Sequence, residues 1–456
     1  MTTLSATLTA EDSSAVKSAV RKFYRRMVPL TVLMLLINQI DRTNLGFVQD
    51  VLKADLGIGA AAFGLGAGLF FVGYALFEVP SNLYLKRLGA RVWLTRIMIS
   101  WGLVTGLMAF TQGETSFYVL RFLLGAMEAG FFPGVIYYFS VWLPDAHRGR
   151  AVAIFLSASA LAYIVTGPVS GALLEMHGWL GLAGWRWMFL IEGGVSILAG
   201  LASILWLVSS IRDAKWLSAE EKSALQRAVD ADEASRVTSQ QRHSQLKLLM
   251  QPTVLKLCAI YFTSTMTGYT VTFWLPGILR QIDGINNFQV GLLSAIPWIF
   301  AVFAMYALAK LTDNKGHRKL LVAGALLLMA IGMLLATFGS PWFALFALTI
   351  AAVGYKSCNS VFWSMTAVSL EPKALAAGIA LINSLGNLGG FAAPAAFGAI
   401  KEQTGSIQGG LLGLTACSLI GLVPGAFFED AQRRLTLSDG VLPTYSFVGD
   451  RDAKHR

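Results

Sequence analysis

The chain has 456 residues, 55% of them hydrophobic and only 14% charged, with a formal net charge of +10. A soluble domain carries about 25% charged residues, so this composition excludes an ordinary soluble globular protein. The excess positive charge is spread over alternate loops instead of one face, which excludes a nucleic-acid partner and makes the charge a topology signal.

Apolar runs of the length that spans a bilayer as helix, about 20 residues, recur twelve times, at 28–48, 62–85, 92–111, 116–142, 150–174, 186–209, 254–279, 289–310, 319–338, 342–366, 374–400 and 407–428. The expected fold is an all-α membrane protein of two six-helix bundles. Its divisions are a cytoplasmic tail at 1–27, a first bundle at 28–210, a cytoplasmic linker at 211–253, a second bundle at 254–429 and a tail at 430–456. The polar start of the chain lacks a short apolar core followed by a cleavage site, so the first span is expected to be retained, not removed as a signal peptide.

Basic residues mark one side of the membrane: Arg21, Lys22, Arg25 and Arg26 before span 1, then Lys86, Arg87 and Arg91, then Arg148 and Arg150, then Lys315, Arg318 and Lys319, then Arg433 and Arg434. The other side has little beyond Lys53, Arg280 and Lys401. The positive-inside rule places the first set, and both termini, in the cytoplasm.

Span 1 carries Asp41 and Arg42; span 4 carries Arg121 and Glu128. A charge at bilayer depth costs about 2.5–3.5 kcal/mol on insertion scales, and such residues face a cavity and mark ion or substrate pathways. Arg121 and Glu128 are seven residues apart, two turns along one helix face. For a carboxylate at this depth, desolvation favours the neutral form and a nearby arginine favours the charged one. A group balanced in that way can exchange its proton when its partner moves, which is what proton coupling requires. Arginine keeps its charge and can fork onto a carboxylate. The competing reading is a pair of static salt bridges.

Tyr74 in span 2 is a candidate for the pocket wall, with ordinary packing as the alternative. Glu78 near the cytoplasmic end of span 2, and Glu192 with Arg186 in span 6, are assigned to gating contacts or fold pairs, and Asp313 after span 8 to a cytoplasmic charge cluster. In the linker, Ser218 and Glu221 have the spacing of a capping box, so a short surface helix is expected there. Span 7 is studded with hydroxyls from Thr263 to Thr272 and reads as a broken, cavity-lining helix. Lys356 lies about fourteen residues into span 10 at mid-depth, with Asn359, Ser360 and Trp363 continuing its face. It is a candidate second cation for an anionic substrate; snorkelling, or a pair with a polar group of the second half, is the alternative. Cys258, Cys358 and Cys417 fall inside spans and imply buried thiols, and the five His residues show no metal-ligand spacing.

The halves are repeats. GALLEMHG (171–178) matches GAIKEQTG (398–405) at an offset of 227, and LGARVWL (88–94) matches KGHRKLL (315–321) at the same offset. Parallel six-helix repeats around a central site are a transporter architecture.

With these features, and with the stretches DRTNLGF (41–47), GLFFVGYALFEVPSNL (68–83), RFLLGAMEAGFFPG (121–134), WRWMFLIEG (185–193) and LAAGIALINSLGNLGGFAAP (375–394), the chain resembles the major facilitator superfamily, and within it the anion:cation symporters of rhamnonate, galactonate, tartrate and phthalate. The resemblance implies proton acceptors at Asp41 and Glu128, a substrate-carboxylate anchor at Arg42, a switchable partner of Glu128 at Arg121 and a sugar-hydroxyl ligand at Asn383. It further implies a monomeric importer of a small organic anion, most simply a sugar acid, in the lipid of a bacterial inner membrane, driven by protons without a cofactor. One departure is Gln39, where the family often has Tyr. Rival readings are a phthalate- or tartrate-type symporter, an anion exchanger and a membrane sensor. A sensor would normally carry a sizeable soluble domain.

Overall fold

A computed structural model describes residues 10–237, 251–315, 318–370 and 375–426. The expected tail at 430–456, the linker segment 238–250, residues 1–9 and the side chain of Asp313 lie outside the described residues. The described elements are α1 (Ala10–Thr43), a 3-10 turn (Asn44–Phe47), α2 (Gln49–Leu56), α3 (Ala60–Leu88), α4 (Ala90–Met108), α5 (Glu114–Glu128), α6 (Phe131–Trp142), α7 (Asp145–Leu174), α8 (Gly184–Trp206), α9 (Ala219–Val237), α10 (Pro252–Leu279), α11 (Asn287–Lys315), α12 (Arg318–Leu335), α13 (Pro341–Ser369), α14 (Leu375–Asn387), α15 (Gly389–Thr404) and α16 (Ile407–Ala426). Within the described residues all twelve apolar runs are helical, and seven spans are long and apolar enough to cross a membrane on composition alone. Among the rest, the first and third runs carry charges, the seventh carries hydroxyls and the eleventh is divided between α14 and α15.

Three local features differ from expectation. The first helix begins at Ala10, well inside the segment read as a tail. Ala15, Val16, Ala19, Val20, Phe23 and Met27 recur at helical spacing and are buried in one cluster with Leu225 and Val229 of α9 and with Trp142. That amphipathic stripe extends the helix beyond the membrane. Span 4 is broken where Gly130 takes φ +88°, a left-handed conformation open to glycine at no steric cost, so α5 stops at Glu128. Span 7, expected to be broken, is one continuous helix of 28 residues. Thr267, Thr270 and Thr272 donate to the carbonyls of Thr263, Met266 and Gly268 one turn back, so most of its hydroxyls serve their own backbone.

The linker helix α9 starts at a reciprocal cap. Ser218 N–H donates to Glu221 Oε2 at 2.9 Å and Glu221 N–H donates to Ser218 Oγ at 3.1 Å. Glu221 also holds α1, accepting from Ser18 Oγ at 2.7 Å and pairing with Lys22 Nζ at 2.7 Å. Desolvation acts to raise the Glu221 carboxyl, but the hydrogen bonds from Lys22, Ser18 and the Ser218 backbone outweigh it and hold the group below the ordinary glutamate range. A depressed carboxyl contributes stability above its unfolded pKa and loses it as pH falls through the folded one. Amide protection along α9, measured against the intrinsic exchange rate at each pH, is therefore expected to fall as pH drops from neutral to below the ordinary glutamate value of ~4.3, and Glu221→Gln is expected to show the low protection already at neutral pH. Unchanged protection in both would contradict this role.

Each half packs on itself, α4 against α8, α3 against α5 and α1 against α7 in the first, α13 against α11 and α12 in the second. Between halves the main contacts are α3 with α15 and α7 with α11. The side chains buried on α3 lie mostly between Ala62 and Gly73, whereas Leu76, Phe77, Val79, Leu83 and Tyr84 nearer the basic loops are exposed. The halves thus meet at mid-depth and at the outer face and diverge toward the cytoplasm.

The meeting points are small residues. Gly167 and Gly291 approach so closely that a Cβ on either would collide with the other's carbonyl oxygen. Such crossings are how membrane helices associate when lipid removes the hydrophobic drive between them.

Candidate functional site

The four charged residues of spans 1 and 4 meet at the centre of the first half. Arg42 Nε pairs with Glu128 Oε1, with the arginine side chain 19% exposed and the glutamate fully buried. The Arg42 guanidinium lies 4.7 Å from the Tyr74 ring and 5.2 Å from Phe70. Both rings present π-faces to the cation and hold its plane. Glu128 sits at the last turn of α5, so the break at Gly130 places its carboxylate beside α1.

Asp41 is buried and accepts from Thr105 Oγ1 on α4 at 3.0 Å. Its Oδ1, and Oε2 of Glu128, are buried without a hydrogen-bond partner among the described residues. Arg121 does not pair with Glu128 in this arrangement. It lies 5.0 Å over Phe70 and donates from Nε to the Gly66 carbonyl at 3.4 Å. Neither charge pair suggested by sequence order forms: Glu128 takes Arg42, Asp41 takes a threonine and Arg121 a backbone carbonyl.

Glu192 is a third buried acid of this half. Its carboxyl accepts from Asn44 Nδ2 and, at 3.2 Å, from Ser170 Oγ. The expected partner Arg186 turns away, donating to the Ala109 carbonyl and lying 4.4 Å over the Trp185 ring. Helix register explains the correction, because residues six apart point about 120° away from each other around the helix and do not share a face.

From the second half, Lys356 reaches this region. Its ammonium lies 4.3 Å from the Tyr163 ring, 5.4 Å from Tyr355 and 6.0 Å from Trp298. Among the described residues no carboxylate pairs with it. Tyr163 belongs to the first half and stacks on Trp298 with centroids 4.3 Å apart, so the lysine sits at a joint between halves. Ser360 donates to the Ser357 carbonyl at 2.9 Å, within its own helix. Trp363 lies edge-on to Tyr261 at 4.9 Å in an aromatic cluster with Phe362. Asn383, on α14, is half-buried and makes no hydrogen bond among the described residues.

Tyr269 of α10 was not singled out by sequence, and its ring lies 4.7 Å from Phe71 of the other half. Its hydroxyl sits beside Arg42. Tyr163 and Trp298 were likewise missed, because an aromatic residue in an apolar run gives no signal of facing a cavity.

Residues 31–394 match the family profile described as Major Facilitator Superfamily. A putative tartrate transporter of Agrobacterium vitis is 47% identical over 392 residues, covering 86% of this chain and 90% of that one. A quinolone resistance transporter of Acinetobacter baumannii is 43% identical over 413 residues, covering 89% of this chain and 94% of that one. Among solved structures, an inward-facing, unoccupied bacterial homologue of the human lysosomal transporter Spinster aligns with TM-score 0.72 at 18% identity, covering 95% of this chain and 99% of that one, and supports the fold alone. With the profile spanning most of the chain and relatives this close over nearly their whole length, the protein belongs to the Major Facilitator Superfamily and is a multi-pass inner-membrane transporter, not an enzyme.

Proposed function

We propose that the chain is a proton-coupled importer of a small organic anion of the sugar-acid class, working by alternating access of its two halves. The observation that supports this most directly is the Arg42–Glu128 pair. A proton added to Glu128 removes the negative charge that occupies Arg42, and the guanidinium is then available to a substrate carboxylate. In this cycle Asp41 takes a second proton, and Arg121, already close by over Phe70, is the alternative partner for Glu128 when Arg42 turns to substrate. Tyr74 holds the plane of Arg42. Lys356 meets a second anionic or hydroxyl group, Asn383 a hydroxyl, and Ser360 and Trp363 the wall around them. The working unit is a monomer in lipid that uses the proton gradient and no cofactor. The name of the tartrate relative supports a hydroxylated carboxylate as cargo.

A second reading, an aromatic carboxylate, is favoured by the rings of Tyr261, Phe362 and Trp363. A thermal-shift panel of purified protein against aldonates, tartrate, aromatic acids and neutral sugars separates these readings, since a specific ligand stabilises the native state. Hits confined to neutral sugars would exclude an anion. Against the best acid of the panel, Lys356→Met is expected to weaken affinity by about tenfold or more, the loss of one charge-assisted hydrogen bond. Equal affinity would remove Lys356 from the site.

A further inference from the structure

The duplicated stretch GALLEMHG and GAIKEQTG carries a glutamate at the same place in each half, Glu175 and Glu402, 227 residues apart. Sequence reading takes the match as evidence of repetition and assigns these carboxylates nothing. In the structure each one reaches across to the opposite half. Glu402 Oε2, at the outer end of α15, accepts the Ala61 N–H at 2.7 Å. Glu175, just past the outer end of α7, accepts the Asn287 N–H at 2.7 Å through Oε1. Ala61 and Asn287 open α3 and α11, so each carboxylate fills an orphan donor at a helix N-terminus that its own half does not satisfy. The charge also faces the positive end of the helix dipole.

Three further facts single these contacts out. Neither glutamate has an ion pair among the described residues. Residue 59, which precedes α3, is a glycine of ordinary φ (−67°), so backbone conformation does not require it there. A Cβ at that position would stand 2.8 Å from Glu402 Oε2, so the missing side chain leaves the seat of the carboxylate open. Beneath the caps the helix crossings are duplicated too: Gly64 against Pro394 and Gly398 against Ala60 on one side, Gly291 against Gly167 and Gly171 against Asn287 on the other. Every one of these positions recurs at the 227-residue spacing.

We propose that Glu175 and Glu402 are functional residues of the transport cycle, a duplicated clasp that holds the outer face shut by capping the helices of the opposite half. The clasp is reversible by construction. Opening the outer face gives both the carboxylates and the freed N–H groups to water, so each cap is exchanged for hydration instead of being left empty. The inference uses only the transporter assignment; it stands whether or not the substrate and the proton coupling proposed above hold.

The test is accessibility. In a background with Cys258, Cys358 and Cys417 replaced, Ser294→Cys places a thiol between the halves, beside Trp298 and Tyr163. Its labelling by a membrane-impermeant thiol reagent from the outer side reports opening. Glu175→Ala and Glu402→Ala are each expected to raise the labelling about fivefold, the typical worth of a lost cap. Their combination is expected to raise it roughly 25-fold, since the two caps share no partner. The glutamine variants keep an acceptor and lose the charge, so smaller increases are expected. Gly59→Ala crowds Glu402 without touching the charge and is expected to act in the same direction. A Ser360→Cys reporter labelled from the inner side separates a clasp from general loosening: it should label more slowly in the same variants, whereas a loosened protein labels faster at both ends. Outer labelling within twofold of the parent in the double glutamine variant and in Gly59→Ala, both folded, would overturn the proposal. Faster labelling at both ends would overturn it equally.

Discussion

Arg42→Ala is expected to abolish uptake, lowering it by at least ~100-fold, and to destabilise the protein, because removing one partner of a buried ion pair costs about 3–5 kcal/mol. The loss comes from Glu128, which is fully buried and pairs with no other cation among the described residues. Arg42→Lys keeps a charge but not the planar group that stacks between Tyr74 and Phe70, so only partial recovery is expected. The informative variant is Arg42→Ala with Glu128→Gln. Neutralising both partners should restore the melting temperature while leaving uptake dead, since the stability defect is the unpaired carboxylate and the functional defect is the missing anchor. A double variant that transports would show Arg42 to be a fold pair only.

Asp41→Asn is expected to separate binding from coupling. Among the described residues Asp41 forms no ion pair and accepts one hydrogen bond, from Thr105. Asparagine can accept that same bond, so the anion should still bind and exchange across proteoliposomes by counterflow. Net accumulation is the sensitive measurement. Each coupled proton and a gradient of one pH unit sustain about tenfold accumulation, the equivalent of 1.36 kcal/mol, so the variant, left with the Glu128 proton alone, should accumulate about tenfold less. Wild-type protein that exchanges without ever accumulating would replace the symport proposal with an exchanger.

The two halves of the site were unequally legible in the sequence. Charges inside apolar runs stand out because the bilayer penalises them, so Asp41, Arg42, Arg121 and Glu128 could be named from the sequence. Which acid meets which base could not. That depends on the rotation of α1 and α5 about their axes and on the break at Gly130, and helical spacing within one segment does not report either. The same limit applies to Glu192. It was matched with Arg186 by nearness in sequence, although the structure gives it Asn44 and Ser170. Span 7 failed for a different reason. Its hydroxyls mark either a wet cavity or back-bonding to the helix, and composition is identical in the two cases. The extension of α1 to Ala10 was readable in retrospect, because its apolar stripe keeps helical period through residues dismissed as polar.

The duplicated outer rim has a consequence for the history of the chain. Helix α3 of one half on α15 of the other, and α7 on α11, are one contact made twice, the form of an isologous interface between identical subunits. A single six-helix ancestor would have made both contacts as a homodimer. At the 227-residue spacing the partners of Asp41, Arg42, Arg121 and Glu128 are Gly268, Tyr269, Leu348 and Tyr355. The rim has therefore kept its twofold sequence while the centre has lost it. Gene fusion, by freeing each copy to vary alone, would have let one half specialise in charge and the other in aromatic rings around Lys356. A symmetric dimer could not do this, because every acid placed on its axis would face its own copy.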